Sequence, residues 1–327
     1  MGEFDLIARH FTRPVRRAVL GVGDDCALLA PTPGMQLAVS SDMLVQGRHF
    51  FADVDPEALG HKALAVNLSD LAACGARPLA FTLALALPEA DDAWLAALAR
   101  GLFALADAHS CELVGGDTTR GPLNLCITVF GEVPAGQALL RSGARPGDDV
   151  YVSGTLGDAR LALEALQGHL TLPAEVLQAA RQRLERPTPR VALGQALRGL
   201  ATSAIDVSDG LLGDLAHVLD RSGVGAVVEI ERAIELIAAR AYLKSTSSHF
   251  DAEVWQRAAL AGGDDYELLF TAPAAERQAV QAVAAAVGTP VARIGHIEAV
   301  PGLRLVDAAG QTVPHRWRSF DHFGAAG

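Results

Sequence analysis

Carboxylates stand beside glycine or serine in five separated stretches of this 327-residue chain: Asp24/Asp25, Ser40/Ser41/Asp42, Asp70, Asp117 and Asp206/Ser208/Asp209. Gathered in one place, these side chains repel one another severely unless cations answer them. Carboxylate and hydroxyl oxygens are hard ligands suited to magnesium, and no thiolate or histidine cluster accompanies them. Several magnesium ions on phosphate oxygens offset the charge of a phosphoryl-transfer transition state, which makes phosphoryl transfer the chemistry this residue set suits. No general base is required if the acceptor is itself a phosphate, whose oxygen is already ionised. Positioning and charge neutralisation then supply most of the rate. The residue types do not choose the acceptor.

Each stretch also has a structural explanation of its own. Asp24 and Asp25 follow Gly21 and Gly23 and suit a turn, Ser208 or Asp209 suits a helix cap, and Asp91 and Asp92 open an amphipathic helix and serve its dipole. Asp70 is the hardest to explain this way. At helical period Lys62, Val66, Asn67, Asp70 and Cys74 share one face of a segment, 61–78, otherwise filled with Ala, Leu and Val. An ionised Asp70 there needs a distant arginine or a metal, because an unpaired buried charge costs several kcal/mol.

Composition narrows the classes. A net charge of -11 and a pI near 5.3 leave no basic footprint for nucleic acid or an anionic membrane. Apolar runs such as 79–87 fall far short of the roughly 20 residues that cross a bilayer, and no signal-like segment opens the chain, so a cytoplasmic protein is expected. The four cysteines, Cys26, Cys74, Cys111 and Cys126, fit neither a disulfide framework nor a zinc knuckle and read as small core residues. The only two lysines, Lys62 and Lys244, do not follow glycine, which excludes a GxxxxGK[ST] phosphate loop. Gly21 and Gly23 lack the third glycine of a dinucleotide fingerprint and carry acids where pyrophosphate needs amides.

Elements that position these groups follow from pattern. Helices are expected over 2–11, from Asp91 through Leu105, and over 159–166, 173–186, 234–244 and 274–287. Strands are expected at 37–39, with Ser40, Ser41 and Asp42 at the strand end, and at 81–87 (apolar throughout, hence buried on both faces), 112–114, 123–133, 151–153, 203–208, 224–230, 266–270, 291–294 and 304–306. Gly115-Gly116-Asp117-Thr118-Thr119 reads as a loop whose glycines admit a phosphate, and 246–249 as another loop. Rising Gly and Pro density over 141–149 marks a domain boundary. The aromatic tail, 317–323, is expected to pack or to cover a site. A loose echo between Asn67-Leu68-Ser69-Asp70-Leu71 and Asp206-Val207-Ser208-Asp209-Gly210-Leu211 hints at related halves.

In order and separation, GVGDDCAL, SSDMLVQGRHF, KALAVNLSDLAACGARP, GGDTTRGP, RSGARPGD, AIDVSDGL and GGDDYEL closely resemble the motifs of the thiamine-monophosphate kinases, in the PurM-like (aminoimidazole ribonucleotide synthetase) superfamily. The resemblance covers essentially the whole chain. It implies an α/β (α+β) two-domain PurM-like fold, with residues 1–140 forming a dimeric sheet or barrel that holds metal and ATP phosphates. Residues 141–327 would form a sandwich-like α/β half for nucleotide and substrate. It further implies magnesium-dependent in-line transfer of the ATP γ-phosphate to thiamine monophosphate, and a homodimer. Residue by residue, the resemblance makes Asp25, Ser40, Ser41, Asp42, Asp70, Asp117, Asp206 and Asp209 magnesium ligands, with Asp42, Asp70 and Asp117 central to catalysis. Gly116, Asp117, Arg141 and Ser208 match ATP contacts, and His49, Asp264 and Phe320 match positions that hold thiamine monophosphate. Other ATP-using enzymes of the superfamily, and a nucleotide sensor without turnover, are the competing readings.

Overall fold

The computed structural model describes residues 2–244, 250–314 and 316–320; the loop expected at 246–249 and tail residues 321–323 lie outside the described residues. The chain divides into two compact units, Met1–Leu71 with Ala76–Ala138, and Ala72–Gly75 with Leu139–Gly327. Among the described residues no helix is long and apolar enough to cross a membrane.

The first unit comprises α1 (Glu3–His10), β1 (Met35–Val45), α2 (Pro56–Ala73), β2 (Arg77–Leu87), α3 (Asp92–Ala108), β3 (Glu112–Arg120) and β4 (Asn124–Pro134). Its sheet runs β1-β4-β2-β3, antiparallel except for the β2/β3 pair, which α3 connects. Helices α2 and α3 touch through glycine, since a Cβ on Gly60 would lie 2.0 Å from the Leu98 carbonyl oxygen and one on Gly101 1.8 Å from that of Glu57. Asp91 caps α3 by accepting from the Ala93 and Trp94 amides. Asp92 does more than serve the dipole: it pairs with Arg9 and His10 and ties down the end of α1.

The strand 81–87 is not buried on both faces as expected. Phe81, Leu83, Leu85 and Leu87 are buried, while Ala84 is exposed and Thr82 and Ala86 are half-buried. On this second face the segment 15–29 covers only one end of the sheet, packing Val15, Ala18, Ala27 and Leu29 on Leu79, Ala80 and Val114. The rest is open and carries Val39 and Met43 of the edge strand β1, both more than half exposed. Nor does the strand expected at 112–114 stop before the glycines. It continues through Gly115–Thr119, because parallel pairing with β2 from Thr82 to Leu87 holds those residues extended. Of the cysteines only Cys111 is a core residue; Cys26 is exposed and Cys74 and Cys126 are half-buried.

The second unit comprises β5 (Asp148–Ser153), α4 (Asp158–Leu166), α5 (Ala174–Glu185), α6 (Val191–Ala196), β6 (Ser203–Val207), α7 (Leu211–Ser222) and β7 (Gly225–Glu229). It continues with α8 (Ile230–Glu235), α9 (Ala238–Lys244), α10 (Ala252–Ala261), β8 (Glu267–Pro273), α11 (Arg277–Ala286), β9 (Val291–Glu298), β10 (Gly302–Val306) and β11 (Thr312–Val313). Its seven-stranded mixed sheet runs β11-β10-β7-β9-β5-β8-β6. The single helix expected over 234–244 is two short ones. Asp158 of α4 accepts from the Ala238 and Ala239 amides at 3.1 and 2.9 Å, satisfying the first donors of a helix restarted there. Trp317 joins the main core of this unit at 8% exposure, so the first residue of the tail packs, while Phe320 is exposed.

Candidate functional site

In the first unit, α2 presents its polar residues to β1. The run from Lys62 to Ser69 is buried and Asp70 is half-buried. Ser40 Oγ donates to Asp70 Oδ2, and Asn67 Oδ1 accepts from the Asp42 amide at 3.1 Å. Because side chains alternate along a strand, Ser40 and Asp42 share this face while Ser41 points away. Ser41 Oγ donates instead to the Ile127 carbonyl at 3.0 Å and lies 3.1 Å from Thr128 Oγ1. The contiguous Ser40-Ser41-Asp42 set is therefore split between the two faces of the sheet. His49, in the turn four residues past the end of β1, accepts from the Val45 amide through Nδ1 at 3.0 Å, and the buried Lys62 donates to the His49 carbonyl at 3.3 Å.

Asp24, Asp25 and the strand from Gly115 to Thr118 line one cavity of about 600 Å³ beside β3, together with Thr82 and Leu83. Two stretches some ninety residues apart in sequence thus meet. Gly116 sits at φ +150°, and a Cβ there would lie 1.9 Å from the Leu83 carbonyl oxygen, so only glycine lets β3 pair this closely with β2. By register Asp117 pairs with Ala84, on the open face of the sheet.

In the second unit, the stretches 206–210 and 262–267 are neighbours. The Asp264 amide donates to the Ser208 carbonyl at 2.9 Å and the Tyr266 amide to that of Val207 at 2.8 Å. Asp264 and Tyr266 both adopt positive φ, +68° and +51°, to make that turn. Asp206 is buried in the edge strand β6 and Asp209 is exposed just beyond it. The tail meets the same loop, as the Phe320 amide donates to the Asp209 carbonyl at 3.1 Å. Asp206, Ser208, Asp209, Asp264 and Phe320 therefore gather at the N-terminal end of α7. Arg141 does not join them. Its carbonyl accepts from Ser222 Oγ at 3.3 Å, at the far end of that twelve-residue helix, roughly 18 Å away.

Neither Ser208 nor Asp209 caps α7. A residue the sequence reading passed over holds the turn before the helix instead: Asp214 Oδ2 accepts from the Ser208, Asp209 and Gly210 amides at 3.1, 3.2 and 3.1 Å. Burial and the neighbouring Asp209 charge push the Asp214 carboxyl up to about 7, against the three amides, which favour its charged form. The only available signal was an acid in the first turn after Ser-Asp-Gly, which reads equally as a dipole residue. Asp265 was also passed over. It is fully buried, both its oxygens accept from the Gly157 amide at 3.0 and 2.9 Å, and burial raises its pKa. Glu267 beside it is held by Arg183 and Arg190.

The sequence matches the AIR synthase related protein N-terminal domain over residues 23–133 and the corresponding C-terminal domain over 145–308. The thiamine-monophosphate kinase of Salmonella typhimurium is 48% identical over 98% of both chains. The chain belongs to the AIR synthase related family, in its thiamine-monophosphate kinase branch. The crystal structure of the Stenotrophomonas maltophilia thiamine-monophosphate kinase superimposes with a TM-score of 0.82 at 46% identity, covering 95% of this chain and 96% of that one. A third relative, AaThiL complexed with AMPPCP and TMP, has a TM-score of 0.75 at 30% identity, covering 90% and 89%. The two units carry the two-domain PurM-like fold of this family.

Family membership brings magnesium into question, and the residues can be tested against it. Among the described residues no three His, Cys, Asp or Glu side chains converge into a preformed centre. The donors that do meet, Ser40 with Asp70, and Asp24 and Asp25 with Asp117 around one cavity, are all oxygen. An all-oxygen set with few protein ligands fits magnesium, which keeps waters and takes substrate phosphates as ligands.

Proposed function

We propose that this chain transfers the γ-phosphate of ATP to thiamine monophosphate, giving thiamine diphosphate and ADP. The observation that carries the reading is 48% identity to a thiamine-monophosphate kinase over 98% of both chains. A phosphate oxygen of thiamine monophosphate attacks the γ-phosphorus in line, the bond to the β-phosphate oxygen breaks, and ADP leaves with that electron pair. The attacking oxygen is already ionised, so no side chain need remove a proton.

Within this reading, Asp25, Asp42, Asp70 and Asp117, with the Ser40 hydroxyl, hold magnesium in the first unit, and Asp206 and Asp209 hold it in the second. Ser40, Asp42 and Asp70 would act on the α2 face of the sheet, and Asp117, with Ser41, on the opposite one. Bound magnesium neutralises charge on the phosphate oxygens. Gly116 gives the nucleotide phosphates close access to the β3 backbone, and Ser208 contacts ATP from the second unit. His49, Asp264 and Phe320 orient thiamine monophosphate, Phe320 through its ring face. Residues 1–140 then serve mainly metal and phosphates and 141–327 mainly nucleotide and substrate, with His49 and the Asp206/Asp209 pair crossing that division, and ATP as donor suits a cytoplasmic reaction. The open sheet face with its edge strand β1 and the exposed Val39 and Met43 supports a homodimer joined through this unit.

The test is thiamine diphosphate formation from ATP and thiamine monophosphate, with and without EDTA, and with free thiamine as an alternative acceptor. Product from the monophosphate that disappears with EDTA is expected, together with loss of turnover in Asp70→Asn at unchanged melting temperature. ATP binding without any product would refute the kinase reading in favour of a sensor.

A further inference from the structure

The tail reaches the 206–214 loop by more than the Phe320 amide. Ser319 Oγ accepts from the Gly213 amide at 2.8 Å and lies 3.4 Å from the Gly210 carbonyl, to which it donates. Gly213 is the third residue of α7, so its amide is one of the orphan donors at the helix start, and Ser319 satisfies it from outside the helix. The approach is close. A Cβ on Gly213 would stand 2.5 Å from Ser319 Oγ and 2.6 Å from Ser319 Cβ. Trp317, two residues earlier, is buried in the core and anchors the other side of the contact. The segment 317–320 is thus held at Trp317, at Ser319 and at the Phe320 amide, while the Phe320 side chain itself is 48% exposed.

We propose that Ser319 is a positioning residue, whose hydroxyl clasps the tail to the first turn of α7 and so fixes Phe320 beside the 206–210 loop. Gly213 is the other half of the clasp, because a side chain at that position leaves no room for Ser319. The role rests on the reading above in which Phe320 faces thiamine monophosphate. One exposed ring hung from a free tail would sample many orientations, and ordering it on binding weakens affinity. Pinning the backbone on both sides of residue 319 removes that cost before the substrate arrives. Ser319 contacts neither substrate nor metal in this scheme. Its effect runs only through Phe320, so it should alter capture of thiamine monophosphate and leave ATP untouched.

Two variants separate the clasp from a general folding role. Ser319→Ala removes the hydroxyl. Gly213→Ala improves the intrinsic helix propensity of α7 and expels Ser319, so a lowered helix stability cannot explain its effect. Steady-state kinetics of wild type, both variants, Phe320→Ala and the Ser319→Ala/Phe320→Ala double variant are compared with amide exchange at Gly213 and Phe320. Both clasp variants should raise KM for thiamine monophosphate about three- to tenfold, as for loss of one hydrogen bond, with KM for ATP and kcat unchanged and exchange at both amides accelerated. In the Phe320→Ala background Ser319→Ala should add nothing. A raised KM in Phe320→Ala with Ser319→Ala silent, or additive effects in the double variant, would overturn the clasp alone. An unchanged KM in Phe320→Ala would instead refute the substrate contact on which the clasp depends, and the clasp with it.

Discussion

Glu267→Gln tests a buried charge network in the second unit. The Glu267 carboxylate is fully buried at the start of β8. Its Oε1 accepts from Arg183 Nη2 at 2.7 Å and Arg190 Nη2 at 2.6 Å, and its Oε2 from Arg190 Nε and Ser153 Oγ, both at 2.6 Å. Every lone pair that faces protein therefore meets a donor. Glutamine keeps the shape and turns one acceptor into an amide that points its hydrogens at an arginine, whichever way the group is flipped. Two guanidiniums whose side chains are only 19% and 16% exposed lose their counter-charge. Breaking a buried pair from one side costs roughly 3–5 kcal/mol, more than the net value of the pair, because the charge left behind stays desolvated.

Urea unfolding followed by tryptophan fluorescence should show that loss in the transition of the second unit, which holds Trp255 and Trp317. A companion variant decides the cause. Glu267→Met with Arg183→Met and Arg190→Met removes all three charges at similar volume and should regain most of the stability. It also removes Arg183 Nε, a buried nitrogen without a hydrogen-bond partner. A loss below about 1 kcal/mol for Glu267→Gln, or a triple variant less stable than Glu267→Gln, would refute the argument that the cost comes from unpaired buried charge.

Three further outcomes follow from single contacts. Gly116→Ala must place a Cβ against the Leu83 carbonyl at positive φ and should cost about 3 kcal/mol or more in the first unit, read as a lowered urea midpoint with the second unit unaffected. Asp149 is held below the usual carboxyl range, first by its hydrogen bond with Arg277 and further by that arginine's charge, so the pair stabilises the fold above the unfolded value near 3.9 and loses that effect as pH falls through the depressed one. Arg277→Met should therefore be less stable than wild type at pH 7, with the difference closing in strong acid; a constant difference would contradict the pairing. If the proposed homodimer forms through β1, Val39→Asp puts a charge on its open face and should shift the chain to monomer in sedimentation while the urea midpoint of the second unit stays put.

How far the sequence could be read depended on whether a residue conflicted with its surroundings. Asp70 was legible because a carboxylate within an otherwise apolar helix has no local explanation, and α2 does bury the run before it while β1 offers it the Ser40 hydroxyl. Asp214 was invisible for the opposite reason: an acid in the first turn of a helix conflicts with nothing, and only the fold reveals that it collects three amides. The glycines at 115 and 116 read as a loop since local propensity favours one. The partner strand overrode it, and the same absence of a side chain that suggests a turn is what allows the close parallel pairing.

The likeness between Asn67-Leu68-Ser69-Asp70-Leu71 and Asp206-Val207-Ser208-Asp209-Gly210-Leu211 misled for a related reason. The first lies wholly in α2, whereas the second is the end of β6, a turn and the first residue of α7, so the echo is not a structural repeat. A short string fixes which groups are present and leaves their directions to the element it joins. In a helix, Asn67 and Asp70 at i and i+3 lie on one face, and both reach β1. In the strand and turn, Asp206 is drawn into the sheet beside Leu268 while Asp209 is left exposed, its amide held by Asp214. Ser40, Ser41 and Asp42 make the same point at the scale of one residue, since the pleat sends the middle hydroxyl to the face that α2 does not reach. A string read from sequence therefore names the groups on offer, while which of them can act together is decided by the period of the element that carries them.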